Sequence, residues 1–224
     1  MRQSFTYCFW VILVVFIGAA SDPSAQGATQ RETTVYPVVF VVRHAEAYKN
    51  VSHPSGMAKE KLDSLTPRGI EQARKAGAYL KDKNVFAVIS SPTGRTRQTA
   101  RIIAEESGSK GSFVEDPAFE SMKKGRTSKG KLVGWSWREA QWKAGRDPRP
   151  EGGESLEDAT KRAVQALKAL IKQYPGKVFV IVTHSDICAG LAGQAGGTPY
   201  PERYEKHKTA LGSVSEIAFS PDGT

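Results

Sequence analysis

The sequence predicts a three-layer α/β/α sandwich around a mixed, mostly parallel central sheet, on three observations. Val38 to Val42, Val85 to Ile89 and Val178 to Val182 are unbroken runs of β-branched and aromatic residues, the pattern of strands covered on both faces. Segments with helical periodicity separate these runs, and such alternation gives a parallel sheet with helices on either side. At 224 residues the chain has material for one domain with a sizeable core, and not for a second of ordinary size.

The chain opens on a segment unlike the rest. Arg2 precedes a near-continuous apolar run from Phe9 to Ala20, and small or polar residues follow from Ser21 to Ala28. That is the three-part pattern of a secretory signal, so residues 1–27 are assigned as a signal peptide and 28–224 as an exported domain, periplasmic or secreted. The run falls short of the roughly 20 apolar residues that cross a bilayer. An uncleaved anchor is the alternative, and no stable membrane span is expected after cleavage. Cys8 lies within the signal, so the exported domain keeps Cys188 alone and can form no internal disulfide. Cleavage removes one base, Arg2, and one acid, Asp22, so the net charge of +9 persists. Such a surplus draws phosphorylated small molecules, nucleic acid or an anionic envelope surface, and charge alone does not choose among them.

After the first strand, Thr66-Pro67 opens a helix with Pro in its first turn and Ile70, Ala73, Gly77 and Leu80 along one stripe. The second strand is followed by a helix from Pro92 to about Glu106. The stretch from Glu120 to Pro150 holds Trp135, Trp137 and Trp142 together with the basic run Lys123, Lys124, Arg126, Lys129 and Lys131. It reads as a partly helical insertion at the sheet's edge. Its charges are either a solvated loop or a cap that draws phosphorylated substrates, with the tryptophans as a wall. Ser155 caps the next helix, with Asp158 three residues on, and Leu156, Ala159, Ala163, Leu167, Leu170 and Tyr174 form its apolar face before Pro175-Gly176 stops it. A late strand, imperfectly alternating, spans Ser213 to Phe219.

Each buried run ends in polar residues for which a buried strand has no use: Arg43-His44, Ser90-Ser91 and Thr183-His184. In a parallel sheet these ends meet at one edge, where sites form. Two histidines beside a fixed cation suit a phosphate. A guanidinium matches phosphoryl oxygens with a planar fork of donors, and a neutral imidazole can attack phosphorus when its other nitrogen is held. The four histidines, at 44, 53, 184 and 207, show no metal-ligand spacing. No metal and no cofactor are expected, and His53 and His207 read as structural.

Arg43-His44-Ala45-Glu46 with Asn50 downstream resembles the Arg-His-Gly-Glu signature of the histidine phosphatase superfamily, the phosphoglycerate mutase-like fold family. The resemblance continues through Leu65-Thr66-Pro67-Arg68-Gly69 with Gln72-Ala73, and Ser90-Ser91-Pro92 with Arg95 and Gln98-Thr99-Ala100. Gly152-Gly153-Glu154-Ser155 with Arg162 and Val182-Thr183-His184 complete it, covering Val38 to about Ile217. It implies that His44 is the nucleophile, that Arg43, Arg95 and His184 bind the phosphoryl oxygens, and that Asn50 lines the same pocket. It also implies an acidic proton donor after the third strand; Glu120 is the choice, with Glu115 and Asp116 as competitors. Two positions depart from the family, Ala45 and Ser185 standing where glycine is usual, and both are small enough to predict only modest changes.

Arg162 can be a site residue or a structural partner of Glu157 or Asp158, and Glu46 a site carboxylate or an orienting group. Glu154 reads as securing its loop. The activity implied is hydrolysis of a phosphomonoester, a small molecule or an envelope component, through phospho-His44, with no nucleic-acid partner and oligomeric state left open. A mutase that returns the phosphoryl group is the first alternative, and a non-catalytic anion-binding module the second.

Overall fold

The computed structural model describes residues 37–109, 111 and 113–218; the assigned signal peptide and Phe219 lie outside them. The three apolar runs form β1 (Val38–Arg43), β2 (Val85–Ser90) and β4 (Val178–Thr183), each one residue longer than its apolar run. A three-residue β3 (Phe113–Glu115) and a late β5 (Val214–Ala218) complete a five-stranded sheet of order β3-β2-β4-β1-β5. All pairings are parallel except β5 against β1. Arg43 pairs with Thr183 and Ser90 with Val182, so the three polar strand ends lie side by side.

The helices, in chain order, are α1 (Lys59–Leu62), α2 (Pro67–Leu80), α3 (Gly94–Ser107), α4 (Trp135–Lys143), α5 (Leu156–Gln173), α6 (Ser185–Ala195) and α7 (Tyr200–Lys206). Strand side chains alternate between two cores. Phe40, Val42, Val88, Val180 and Val182 pack on Ala76 and Leu80 of α2 and Ala100 and Ile103 of α3. Val39, Val41, Ile89, Phe179 and Ile181 pack on Leu156, Ala159 and Leu167 of α5 and Ile187 and Leu191 of α6. The expected three layers follow directly. Leu80, Leu156 and Leu167 are fully buried, and burying each such side chain stabilises the fold by roughly 1.5–3 kcal/mol. Both helices are capped: Thr66 Oγ1 accepts from Gly69 N at 3.0 Å, and Ser155, the cap read from the sequence, forms a reciprocal box with Asp158 at the start of α5.

The segment 120–150 is partly helical and is built into the domain. Met122 and Trp142 are buried in the main core, and α4 is its helical part. Trp135 and Trp142, seven residues apart on one helix face, pack against Tyr204 of α7 with ring centroids 5.0 and 4.9 Å away. These two tryptophans therefore fasten the segment to the domain instead of walling a pocket. Between them, buried Arg138 donates to the carbonyls of Lys123, Lys124 and Glu154 at 2.8–3.0 Å, fixing the start of the basic run.

Candidate active site

The β1 ladder continues one residue beyond the strand, where His44 N donates to Thr183 O at 2.9 Å. Ala45 N then donates to Thr99 Oγ1 at 3.1 Å, which tethers the turn to α3. The His44 ring is buried, and its Nδ1 lies 2.8 Å from Ala45 O. A carbonyl only accepts, so Nδ1 carries the proton and the lone pair is left on Nε2. Burial, then Arg95, and further the charges of Arg43 and Lys49 hold the imidazole down to about 3. His44 is therefore neutral near pH 7, with the Nε2 lone pair unprotonated. The Ala45 methyl packs with Ala47, Leu65 and Ala73, so the departure from glycine is absorbed by a small apolar cluster.

His184, directly after β4, lies across the site from His44 with ring centroids 5.5 Å apart. Its Nδ1 accepts from Arg95 Nη2 at 2.9 Å and its Nε2 contacts Ser91 Oγ at 2.8 Å. Arg95 can only donate, so His184 holds its proton on Nε2 and gives it to Ser91. Burial, with Arg95 next, keeps this ring neutral as well. Arg95, in the first turn of α3, is held by Asp63 through Nη1, and the other carboxylate oxygen accepts Gly94 N at 2.6 Å. One acid thus orients the arginine and caps the helix whose dipole a cation would oppose.

Arg43 Nη1 donates to Thr209 O, which fixes the guanidinium against the loop before β5. The Nε–H groups of Arg43 and Arg95 are both buried and have no hydrogen-bond partner among the described residues. Buried donors are normally paired, so two such arginines flanking two neutral imidazoles mark a place for an anion.

Glu120 stands at the end of a 3₁₀ turn, Pro117–Phe119, on a loop pinned from three sides. Thr183 Oγ1 donates to Phe119 O at 2.6 Å, Arg162 donates to the carbonyls of Ala118 and Glu120, and Asp186 accepts from Ser121 Oγ and Met122 N. Thr183 precedes His184, so this loop is anchored to the strand end that carries the site. The Glu120 side chain is half-buried and makes no hydrogen bond or ion pair among the described residues. Its competitors are occupied: Glu115 pairs with Arg97 at 2.8 Å, and Asp116 caps the turn through Ala118 N at 2.8 Å.

Asn50 lies on the exposed turn after His44, with Oδ1 spent on Ala47 N and its amide left to donate. Glu46 is an orienting group: it accepts from Thr66 Oγ1 at 2.8 Å and lies 3.6 Å from Arg68. Gly69 is required beside it, because a Cβ there would overlap the Glu46 carbonyl. Glu154 secures its loop by accepting Arg162 at two oxygens and Lys123 N, so Arg162 pairs with Glu154 and neither with Glu157 nor with Asp158. His53 is exposed against Pro54 O, and His207 contacts Thr198; neither bonds a residue of the site. Among the described residues no group of three His, Cys, Asp or Glu side chains could hold a metal, and no helix is long and apolar enough to cross a membrane. The sequence reading missed Asp63, Ser91 and Lys49. Ser91 was visible as a polar strand end, whereas Asp63 sits in the charged stretch Lys59-Glu60-Lys61-Leu62-Asp63 and carries no local signal.

Residues 39–224 match the family model described as histidine phosphatase superfamily (branch 1). The chain is 31% identical over 169 residues to a protein of Erwinia tasmaniensis named "Probable phosphoglycerate mutase GpmB", covering 72% of this chain and 75% of that one. Among solved structures, mycobacterial glucosyl-3-phosphoglycerate phosphatase complexed with VO3 superposes with a TM-score of 0.64 at 19% identity, covering 84% of this chain and 93% of that one. A phosphoserine phosphatase variant of Entamoeba histolytica with phosphoserine gives 0.63 at 21%, covering 83% and 92%. At these identities the structural likeness speaks for the fold alone.

Proposed function

Because the chain belongs to the histidine phosphatase superfamily, branch 1, we propose that it is a metal-independent phosphomonoesterase acting through a phosphohistidine on His44. The observation that carries this reading is the pairing of a neutral, Nδ1-anchored His44 with two guanidinium groups, Arg95 buried and Arg43 half-buried, whose buried Nε–H donors are unspent. In the first step His44 Nε2 attacks phosphorus and the ester P–O bond breaks. Glu120 gives its proton to the leaving oxygen, and the alcohol departs. In the second step water attacks the phosphohistidine, Glu120 takes the water's proton, and inorganic phosphate leaves with Nε2 restored. Arg43 and Arg95 meet the charge that spreads over the phosphoryl oxygens, and each such preorganised donor contributes roughly 10²–10³ in rate. A phosphoryl oxygen competes with Ser91 for the Nε2–H of His184, and Asn50 offers its amide from the rim. No metal or organic cofactor enters the scheme.

A second reading is favoured by one observation, the identity to relatives named as probable phosphoglycerate mutases. A mutase would form the same phosphohistidine and return the group to its substrate. Residues 1–27 argue for the hydrolase, since as a signal they would take the domain away from the cytosolic intermediates and priming bisphosphate that a mutase needs. The test is to incubate residues 28–224 with a panel of phosphomonoesters and follow inorganic phosphate and isomerised phosphoglycerate together, with and without chelator. Phosphate released in step with alcohol, unchanged by chelator, is the expected result. Isomerisation without phosphate release would establish the mutase instead.

A further inference from the structure

We propose that Thr183 and Asp186 are positioning residues for the proton donor: from either side of His184 they hold the chain on either side of Glu120, which fixes the acid relative to the phosphoryl site. The proposal rests on Glu120 being the acid, as in the function proposed above. Thr183 ends β4, and its Oγ1 donates to Phe119 O at 2.6 Å. Asp186 lies in the first turn of α6, and its Oδ2 accepts from Ser121 Oγ at 2.8 Å and from Met122 N at 2.7 Å. The residue before Glu120 and the two after it are thus tied to the residues that bracket His184. The Glu120 carbonyl itself accepts from Arg162 Nη2 at 3.2 Å, so the freedom left to the acid is that of its side-chain torsions.

An acid in the first turn of a helix has a plainer explanation, its favourable place at the positive end of the helix dipole. Three features go beyond it. Asp186 is the one charged residue of Ser185–Ala195 and is fully buried, in a helix whose Ile187, Cys188, Ala189 and Leu191 are buried too. Neither hydrogen bond that it accepts comes from α6; both come from the loop that carries Glu120. Both also fall on Oδ2, while Oδ1 is buried with no hydrogen-bond partner among the described residues. A buried carboxylate is costly, and an apolar side chain would fill this place at less cost if packing were all it served.

The loop has need of such ties. Between Glu115 and Lys124 its regular structure is the single turn Pro117–Phe119, so no ladder of backbone bonds sets the place of Glu120. The acid has to meet the leaving oxygen on the far side of phosphorus from His44 Nε2, and a misplacement of about 1 Å in such a group costs roughly 10²-fold. Proton donation matters most when the leaving group is poor. A lost tie therefore slows alkyl esters and largely spares aryl esters, whereas a general loss of structure slows both alike.

The test compares kcat/KM, which reports the first step, for ethyl phosphate and p-nitrophenyl phosphate. Asp186→Ala and Thr183→Val are each expected to lower it roughly 10- to 100-fold for ethyl phosphate and less than about threefold for p-nitrophenyl phosphate. Asp186→Asn, whose amide oxygen can accept both bonds, should restore ethyl phosphate to within about threefold of the unmodified protein. Ser121→Ala removes one bond from a half-buried side chain and leaves the buried carboxylate in place. It should lose at least about threefold on ethyl phosphate alone, and it decides the matter if Asp186→Ala does not fold. In Glu120→Gln the ties have no acid left to position, so adding Asp186→Ala should cost ethyl phosphate less than about twofold more. Equal losses on the two substrates in Asp186→Ala and Ser121→Ala, or additive losses in the double variant, overturn the proposal while a selective loss in Glu120→Gln keeps the acid. Equal losses on both substrates in Glu120→Gln itself overturn the acid reading, and the positioning role falls with it.

Discussion

Lowering the pH from 7.5 to 5 should destabilise this fold by about 2 kcal/mol through His44 alone. The ring sits near 6.5 in an unfolded chain and is held to about 3 in the fold, by burial first and then by Arg95. Between those limits the unfolded chain binds a proton that the folded one refuses, so the stability that neutral His44 provides is complete above about 6.5. It is lost as the pH falls toward 3. At pH 5 the unfolded ring lies about 1.5 units below its midpoint, and at about 1.4 kcal/mol per unit this gives the figure stated. His184 is shifted in the same direction and adds to the slope. The perturbation that isolates His44 is His44→Asn, whose amide can still donate to Ala45 O but cannot titrate. Urea unfolding of both proteins at pH 7.5 and 5 gives the comparison, with the variant expected to lose about 2 kcal/mol less on acidification. Parallel losses in the two proteins would show that His44 is not held neutral by its surroundings, and the account of the nucleophile would fall with it.

Glu120→Gln should slow hydrolysis of alkyl phosphates by roughly 10²–10⁴-fold and leave aryl phosphates with good leaving groups far less affected; equal losses on both would move the acid role elsewhere. Asp63→Asn keeps an acceptor for Gly94 N while releasing Arg95, and should lower kcat/KM by roughly 10- to 100-fold through misplacement of the guanidinium. A loss under twofold would show that Arg95 is positioned without it. Gly69→Ala forces a methyl onto the Glu46 carbonyl and should cost about 1–3 kcal/mol in thermal or urea unfolding, whereas an unchanged midpoint would contradict the close approach of α2 to the loop after His44.

The strands were readable because their cores are β-branched runs buried on both sides, and their polar ends named the edge where the site forms. The amphipathic stripes of α2 and α5 were readable for the same reason, one face apolar and one not. The helix α6 was not, because Ser185–Ala195 is buried nearly all round and shows no stripe. The strand β3 has three residues at the sheet's edge, too few for a period to show. Within the site, His44 and His184 were legible from their flanking patterns, while Asp63 gains its meaning from Arg95, 32 residues on. The tryptophans misled for a related reason. Composition signals that aromatic side chains are present, but only the packing of α4 on α7 decides that Trp135 and Trp142 face Tyr204.

The central claim is that His44 carries the phosphoryl group, and trapping it is the direct test. The protein is mixed with an aryl phosphate, quenched in alkali, where a phosphohistidine survives, and digested for mass spectrometry. The account predicts phosphate on the peptide containing Arg43-His44-Ala45-Glu46 and its loss in His44→Ala together with turnover. Full turnover by His44→Ala, or phosphate found on another residue, would contradict it.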